Sequence, residues 1–235
     1  MKKLNYLFVY IICISLGLSI TSCSNDDDGA GEEQQEEEPT TLNYFPLTLD
    51  NEWNYDYTDG EDTQILFYTT LDYEGNTFLV TDFVNPFDGG DMTQGFRLSG
   101  STYYGYNGET VIEYNSGIAA MATIDPVEYV FFKDDMEVGE TYTTEVAAPT
   151  VIESIIDIET TTDFTFVTTI LSKEEEMIVN GVTYTDVIGV QLDVNTSLMD
   201  VEFDETLIYY FANEVGPIKL ESSLGDYTIL NYSLN

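Results

Sequence analysis

Apolar and polar side chains alternate in short segments from residue 43 onward, and this alternation most constrains the fold. Val190 and Leu192, for example, flank the polar Gln191. The same two-residue period recurs in the segments 53–57, 64–71, 77–83, 96–106, 111–114, 127–133, 141–146, 151–158, 164–171, 176–179, 182–194, 201–211, 217–221 and 227–234. Because successive side chains of a strand point to opposite faces, this period predicts strands with one buried face.

Glycine beside Asn or Asp separates many of these segments and predicts turns. Asn107-Gly108 and Asn180-Gly181 are the strongest signals, because both residues accept the positive φ of a type I′ hairpin turn. Residues 116–124 (SGIAAMATI) fit either a short helix or a strand. We therefore predict an all-β fold, an antiparallel meander of about a dozen strands that forms a sandwich or a strongly curved half-barrel. Little or no helix is expected beyond the N-terminal segment.

The composition removes most catalytic chemistry. The chain has no histidine, and its two cysteines are Cys13 and Cys23. Ser-His-Asp catalysis, histidine-ligated zinc and the usual proton shuttle at neutral pH all require histidine. We therefore predict that the protein is not an enzyme and has neither a metal site nor another cofactor.

Acidic residues dominate the charge balance. The chain has 44 Asp and Glu against 6 Lys and Arg, a formal net charge of −38. Because phosphate binding depends on Lys and Arg, we expect no binding to nucleic acid. Two interpretations of the acidity stay open, solubility in a saline habitat and the gathering of cations such as Ca²⁺. None of the loop clusters fits the EF-hand order. These clusters are Asp56, Asp59, Glu61 and Asp62; Asp88 and Asp91; and Asp134 and Asp135.

The first 22 residues have the features of a secretory signal. Lys2 and Lys3 precede a mostly apolar stretch, residues 4–20, which is short for a membrane-spanning helix. The sequence ITSC at 20–23 resembles the lipobox of bacterial lipoproteins. This resemblance implies cleavage just before Cys23 and a diacylglycerol on its sulfur, so Cys23 is the predicted lipidation site. The alternative is an ordinary signal peptide with an incidental cysteine.

Residues 23–41 are predicted to be a disordered acidic tether that holds the protein off the membrane. They contain almost nothing apolar, and like charges keep such a segment extended. Acidic residues directly after the lipidated cysteine resemble the surface-export signal of Bacteroidota lipoproteins, with a plain spacer as the alternative. The resemblance implies attachment to the outer membrane and export to the cell surface. Residues 42–235, which contain no obvious linker, are predicted to form a single all-β domain.

Three motifs resemble a group of Bacteroidota lipoproteins of unknown function. They are YFPLTLDNEWNY at 44–55, VNGVTYTDVI at 179–188, and YYFA at 209–212 together with VGPIK at 215–219. The resemblance implies a β-rich fold and a cell-envelope location, and it brings no established activity. Many relatives have glycine where this chain has Asp50, so its first turn is expected to differ. Trp53 is expected to fill the core, and Gly216 to permit a turn or a close backbone approach.

Together these features predict a lipid-anchored, non-catalytic binding or interaction module whose ligand is a glycan or an envelope protein. Tyr68, Tyr104 and Tyr210 lie on polar strand faces, where they would stack on sugar rings or form ordinary cross-strand pairs. One alternative is a lipid or lipoprotein carrier, which needs a continuous apolar cavity. Another is a hydrolase that uses only carboxylates, which needs two acids facing each other across a cleft. An aromatic-lined polar groove would favour a glycan.

Overall fold

The computed structural model describes residues 42–57, 63–81, 93–115, 119–153, 157–198, 201–223 and 225–235. These residues form 14 strands. The strands are β1 Glu52–Tyr57, β2 Thr63–Tyr73, β3 Asn76–Thr81, β4 Gln94–Ser99, β5 Thr102–Asn107, β6 Thr110–Asn115, β7 Ala119–Ile124, β8 Val127–Lys133, β9 Thr141–Glu153, β10 Ile158–Val179, β11 Val182–Leu198, β12 Val201–Ala212, β13 Gly216–Ser222 and β14 Gly225–Ser233. The described part of the chain offers no helix with the length and hydropathy of a membrane span. The predicted all-β fold is confirmed.

The strands form one open antiparallel sheet in the order β6-β7-β9-β10-β11-β12-β13-β14-β1-β2-β3-β4-β5-β8. Most neighbours in this order are also neighbours in sequence, as the predicted meander requires. There are three departures. The last strand, β14, pairs with the first, β1, and the β6–β7 hairpin pairs with β9. Because that hairpin leaves the meander, β8 pairs directly with β5, and β6 and β8 become the two edge strands.

One of the two predicted Asn-Gly hairpin turns is confirmed and the other is wrong. Asn180 and Gly181 have φ values of 50° and 78° and connect β10 to β11. Asn107 and Gly108 instead stand between two strands that do not pair with each other, and the Gly108 N–H donates to the Thr93 carbonyl at 2.7 Å. An Asn-Gly pair permits a tight turn between two paired strands. At Asn107-Gly108 no hairpin forms, because β5 pairs with β8 and not with β6.

Strand boundaries also differ from the sequence pattern. The helix-or-strand segment 116–124 contributes the strand β7, and the single strand predicted over 96–106 is two strands separated by Gly100 at φ 63°. Conversely, β9 and β10 each run without interruption through positions where the alternation weakens. Continuous pairing with a neighbour keeps these long strands extended even where their side chains give no periodic signal.

Aromatic rings fill the interior. Phe45, from the segment before β1, is 2% exposed, and its ring centroid lies 5.6 Å from that of Trp53 and 5.1 Å from that of Phe96. The ring centroid of Phe211 lies 5.5 Å from that of Phe45. Trp53 is completely buried, which confirms its predicted place in the core. The segment that precedes β1 therefore fills the space inside the curved sheet with the side chain of Phe45.

The edge strand β8 lies against the opposite part of the sheet. The hydroxyl of Thr168 on β10 donates to the Phe131 carbonyl at 2.9 Å, and the hydroxyl of Thr144 on β9 accepts from the Val130 N–H at 3.2 Å. Thr168 is completely buried. Side-chain hydroxyls therefore satisfy backbone groups that an edge strand would otherwise leave without partners. The sheet curls toward closure through these bonds and not through a further backbone ladder.

A second, smaller apolar cluster lies on β7, β9 and β11. It consists of Ala122, Ile152 and Leu198, with Ile112 of β6 packed against it. The long strands β9 and β11 therefore contribute to two separate clusters. Residues Thr41–Asn235 form one compact unit. The predicted signal peptide (1–22), the tether (23–41) and Cys23 lie outside the described residues, so the division into these segments stays a prediction.

Candidate functional site

A small cavity of about 30 Å³ lies among the aromatic side chains of the interior. Tyr55, Tyr209 and Tyr227 are among the residues around it. The Tyr55 hydroxyl donates to the Pro217 carbonyl at 2.7 Å, and burial raises the pKa of Tyr55 and of Tyr209 well above the ordinary value. A water molecule needs about 10–15 Å³ of such space. The cavity therefore has room for little more than ordered water.

A larger concavity of about 320 Å³ opens at the surface, where residues 43–48 lie beside β3 and β4. We call it the N-terminal groove. Its lining residues come from the segment before β1 and from those two strands: Asn43, Phe45, Leu47, Thr48, Thr77, Leu79, Phe96, Arg97 and Leu98. Small-molecule sites in proteins commonly have volumes of about 300–1,000 Å³. The groove therefore has the size of a small ligand site, and the interior cavity does not.

Hydrogen bonds fix the wall formed by the N-terminal segment. The Asn43 N–H donates to Asn213 Oδ1 at 2.8 Å, and the Asn43 carbonyl accepts from the Glu214 N–H at 2.8 Å. The Tyr44 N–H donates to the Tyr103 hydroxyl at 3.1 Å. Burial, with a smaller contribution from a nearby carboxylate, raises the pKa of Tyr103 to about 12. The wall is therefore held in one position before any ligand binds.

The floor of the groove is aromatic and its rim is mixed. Phe45 and Phe96 meet edge to face at the floor, with centroids 5.1 Å apart. Leu98, two residues along the same strand as Phe96, is 44% exposed, and Thr48 and Thr77 are also exposed. Residues two apart on a strand share a face, so Phe96 and Leu98 both point to the groove side of β4. The groove thus combines ring edges, an aliphatic side chain and hydroxyl groups.

Arg97 lies on the other face of β4, and its charge is neutralised there. Its guanidinium is 3.6 Å from the ring centroid of Tyr104 and 5.4 Å from that of Phe78, and it forms an ion pair with Glu128. The described lining of the groove includes no Asp or Glu. At the edge of the groove, the carboxylate of Asp72 accepts a hydrogen bond of 2.6 Å from the Thr77 hydroxyl.

A polar atom of this wall is left without a partner. Asn43 Oδ1 is buried and has no hydrogen-bond partner within the described residues. A buried acceptor without a partner costs about 1–3 kcal/mol, because it has lost its hydrogen bonds to water. Because this oxygen is screened from solvent, it offers no direct contact to a ligand in the groove.

The three tyrosines proposed for sugar stacking do not form a common site. Tyr68 on β2 is 49% exposed, whereas the ring of Tyr104 on β5 is covered by the Arg97 guanidinium. Tyr210 on β12 is half-buried, with Lys219 Nζ 5.7 Å from its ring centroid. The groove was missed at the sequence level because its walls come from segments about 30 and 50 residues apart, and no local pattern connects them.

The carboxylate clusters give no metal site among the residues that the structure describes, since no three or more metal-ligating side chains come together there. Asp134 is the carboxyl group of the predicted clusters that shows a resolved change. Burial raises its pKa and Asp135 adds to the effect, while Lys173, which donates to the Asp134 carbonyl at 3.0 Å, opposes it. Five of the predicted positions lie outside the described residues: Asp59, Glu61, Asp62, Asp88 and Asp91.

Comparisons with known proteins find no match. This holds for protein-family models, for curated proteins and for solved structures alike.

Proposed function

We propose that this protein is a lipid-anchored lipoprotein of the Bacteroidota outer membrane, exported to the cell surface, whose β domain is a non-catalytic binding or interaction module. The lipid on Cys23 anchors it, and residues 23–41 are the tether. The ligand is a glycan or an envelope protein, and it binds in the N-terminal groove. The contrast between the two concavities carries the proposal, because the interior offers about 30 Å³ and the groove about 320 Å³.

A filled interior favours a surface-binding module over a carrier of acyl chains. A carrier must enclose a continuous apolar chain, whereas the interior cavity of about 30 Å³ has room for little more than water, which needs about 10–15 Å³ of such space. Phe45 and Phe211, whose centroids are 5.5 Å apart, occupy the space that such a chain would need. A ligand of this protein is therefore expected on its surface.

The side chains of the groove also favour binding over hydrolysis. A hydrolase that uses only carboxylates needs two acids on either side of the scissile bond. The described lining includes neither Asp nor Glu, and the Asp72 carboxylate at its edge is engaged by the Thr77 hydroxyl at 2.6 Å. The groove therefore has the groups to hold a ligand and lacks the pair that would cleave a glycoside.

Membrane fractionation of cells that express the Cys23→Ser protein tests the anchor. We expect the variant in the soluble fraction and the wild type in the membrane fraction. Cys13→Ser is the matched control, because Cys13 lies in the apolar stretch of the predicted signal and should not affect anchoring. A Cys23→Ser protein that stays in the membrane would refute lipidation at this residue. Protease treatment of intact cells tests surface exposure, and full protection would contradict it.

Retention on purified cell envelopes tests the binding role. The soluble Cys23→Ser protein should be retained by envelopes from which the native protein has been removed. Adding Leu98→Ala should abolish this retention, whereas adding Leu230→Ala should preserve it. Leu98 and Leu230 are 44% and 48% exposed on different strands, so the two truncations are closely matched. Equal retention of both variants would argue against the groove as the binding site.

A further inference from the structure

We infer that residues 176–185, the tip of the β10–β11 hairpin, form a lid that opens as one unit on a hinge at Asp186 while the rest of the sheet stays folded. We call this segment the hairpin lid. Its opening would turn part of the buried apolar core into accessible surface, whatever ligand the N-terminal groove binds.

The two strands of the hairpin lid pair with each other and with no third strand of the described structure. Their register continues from the pair of Glu176 and Thr185 to the turn. On one side, β9 pairs with β10 only as far as Thr169, and on the other side β12 pairs with β11 only as far as Val187. A two-stranded hairpin is at best marginally stable by itself in water, so contacts with the core must hold this one in place.

The backbone at the base of the hairpin lid has the features of a hinge. Asp186 has a φ of 51°, a conformation that costs energy for a residue with a side chain. Glu175, which lies opposite Asp186 in the register, is not paired with it, although the pairs on both sides are formed. The Asp186 carbonyl accepts a hydrogen bond of 3.1 Å from the Asn213 N–H, which holds the strained conformation in the closed lid. A change of backbone angles at this interruption would move the lid and keep the ladder on either side of it.

Two kinds of contact hold the hairpin lid closed. At its tip, the Asn180 side-chain amide donates to the Ile229 carbonyl of β14 at 2.8 Å and to the Thr228 hydroxyl at 3.2 Å. On its inner face, Val179 and Tyr184 are 4% and 9% exposed and belong to the main apolar core. The lid is thus attached by one side chain at the tip and by apolar packing along the inner face, and it can be released without breaking a β ladder.

Beneath the hairpin lid lies the part of the core that contains Tyr55. Burial raises the pKa of Tyr55 well above its ordinary value, and the neighbouring Tyr184 of the lid adds to this effect. Tyr55 also borders the interior cavity of about 30 Å³. When the lid opens, Tyr184 leaves this neighbourhood and water reaches the core beside the cavity. The lid therefore controls the access of solvent to this part of the core.

Hydrogen exchange of the detergent-solubilised full chain, followed by mass spectrometry, tests the lid. We expect the amides of residues 176–185 to share one opening equilibrium and to exchange faster than those of residues 188–194, where β11 pairs on both sides. Protection that instead rises steadily from the Asn180 turn toward the base would show fraying of a hairpin end and would overturn the hinge. Equal protection of the two segments would overturn the lid.

Asn180→Gly tests the attachment at the tip. Glycine keeps the positive φ of the turn and removes the amide that donates to Ile229, so exchange of residues 176–185 should become roughly fivefold faster. Asn195→Ala is the matched control, because it removes an exposed amide hydrogen bond of 2.6 Å to Asp204 where β11 pairs with both β10 and β12. It should leave the lid unchanged. The same effect of both variants on residues 176–185 would overturn the attachment through Asn180.

Asp186→Val tests the hinge. A β-branched residue strains the closed conformation at φ 51°, so the lid should open roughly tenfold more often while residues 188–194 keep their protection. Glu74→Val is the control, because Glu74 has a similar φ of 49° in the turn between β2 and β3, and it should not change exchange in the lid. Acceleration by Asp186→Val that extends equally through residues 176–198 would overturn the hinge, as would an unchanged lid.

Discussion

The backbone of Gly216 lies directly against the indole ring of Trp53. A Cβ on Gly216 would come within 2.9 Å of that ring, and Gly216 has a φ of 102°, which residues with a side chain rarely adopt. Next to it, Trp53 Nε1 donates to the Val215 carbonyl at 2.7 Å. The contact packs the start of β13 against Trp53, the core residue of β1, 163 positions earlier in the chain. Both expectations from the sequence are met, since Trp53 fills the core and Gly216 permits a close backbone approach.

Gly216→Ala should destabilise the protein by about 1–3 kcal/mol or more, because the methyl group clashes with the indole and the backbone conformation is strained. Gly100→Ala is the control. Gly100 also has a positive φ, 63°, but a Cβ there would meet nothing within 4 Å, so only the backbone cost of about 1 kcal/mol applies. Urea unfolding followed by Trp53 fluorescence measures both. Equal losses in the two variants would show that the indole contact contributes nothing.

Phe45→Ala should cost about 3–5 kcal/mol in the free energy of unfolding, because it removes the ring on which Trp53, Phe96 and Phe211 converge. The enlarged interior should also bind a hydrophobic dye that the wild type does not. Leu49→Ala, in the same segment but 42% exposed, should change stability by no more than about 0.5 kcal/mol. A Phe45→Ala protein as stable as the wild type would contradict the role of this segment as an interior plug.

Thr168→Val should weaken the attachment of the edge strand β8. The substitution keeps the shape of the side chain but leaves the Phe131 carbonyl without the hydroxyl that donates to it at 2.9 Å, a loss of about 1–3 kcal/mol. Amide hydrogen exchange should become faster in β8 than in the other strands. Thr169→Val, which alters the adjacent, half-buried position, is the control. Equal exchange rates of the β8 amides in Thr168→Val and in the wild type would show that this hydroxyl does not hold the edge strand in place.

Stability should fall at alkaline pH partly through Tyr103. Burial raises its pKa to about 12 in the folded protein, above the value of about 10 expected when the chain is unfolded. The unfolded chain therefore releases this proton more readily, so the contribution is fully present below about pH 10 and is lost as the pH rises to about 12. Tyr103→Phe should flatten this part of the profile of unfolding free energy against pH. A profile with the same slope would refute the assignment.

Individual elements show which features the sequence predicts well. The alternation around Gln191 predicts a strand because the period of side-chain direction is a local property of the backbone. Asn180-Gly181 predicts its turn correctly for the same reason, since the positive φ of both residues is a local conformation. Asp50, with a φ of 64°, adopts the left-handed conformation that glycine adopts most readily, and its short polar side chain tolerates it.

Asn107-Gly108 shows that local sequence properties do not determine which strands pair. The same dipeptide that closes one hairpin lies here between strands that pair elsewhere, since β5 is taken by β8 and β6 by β7. The choice of pairing partner depends on which apolar faces are buried together across the whole sheet. The N-terminal groove has the same origin, because Phe45 and Phe96 meet across about 50 residues of chain.

The sequence by itself determined that this protein is built from antiparallel strands, because strand formation and turns depend on neighbouring residues. It also placed Trp53 in the core, since a large apolar side chain on the buried face of a strand has nowhere else to go. Only the tertiary structure decided that the edge strand β8 rests on Thr168 and that Phe45 fills the interior. The same is true of the N-terminal groove, which opens beside Leu98. These features depend on contacts between distant segments, and such contacts exist only when the whole sheet has curled around its aromatic core.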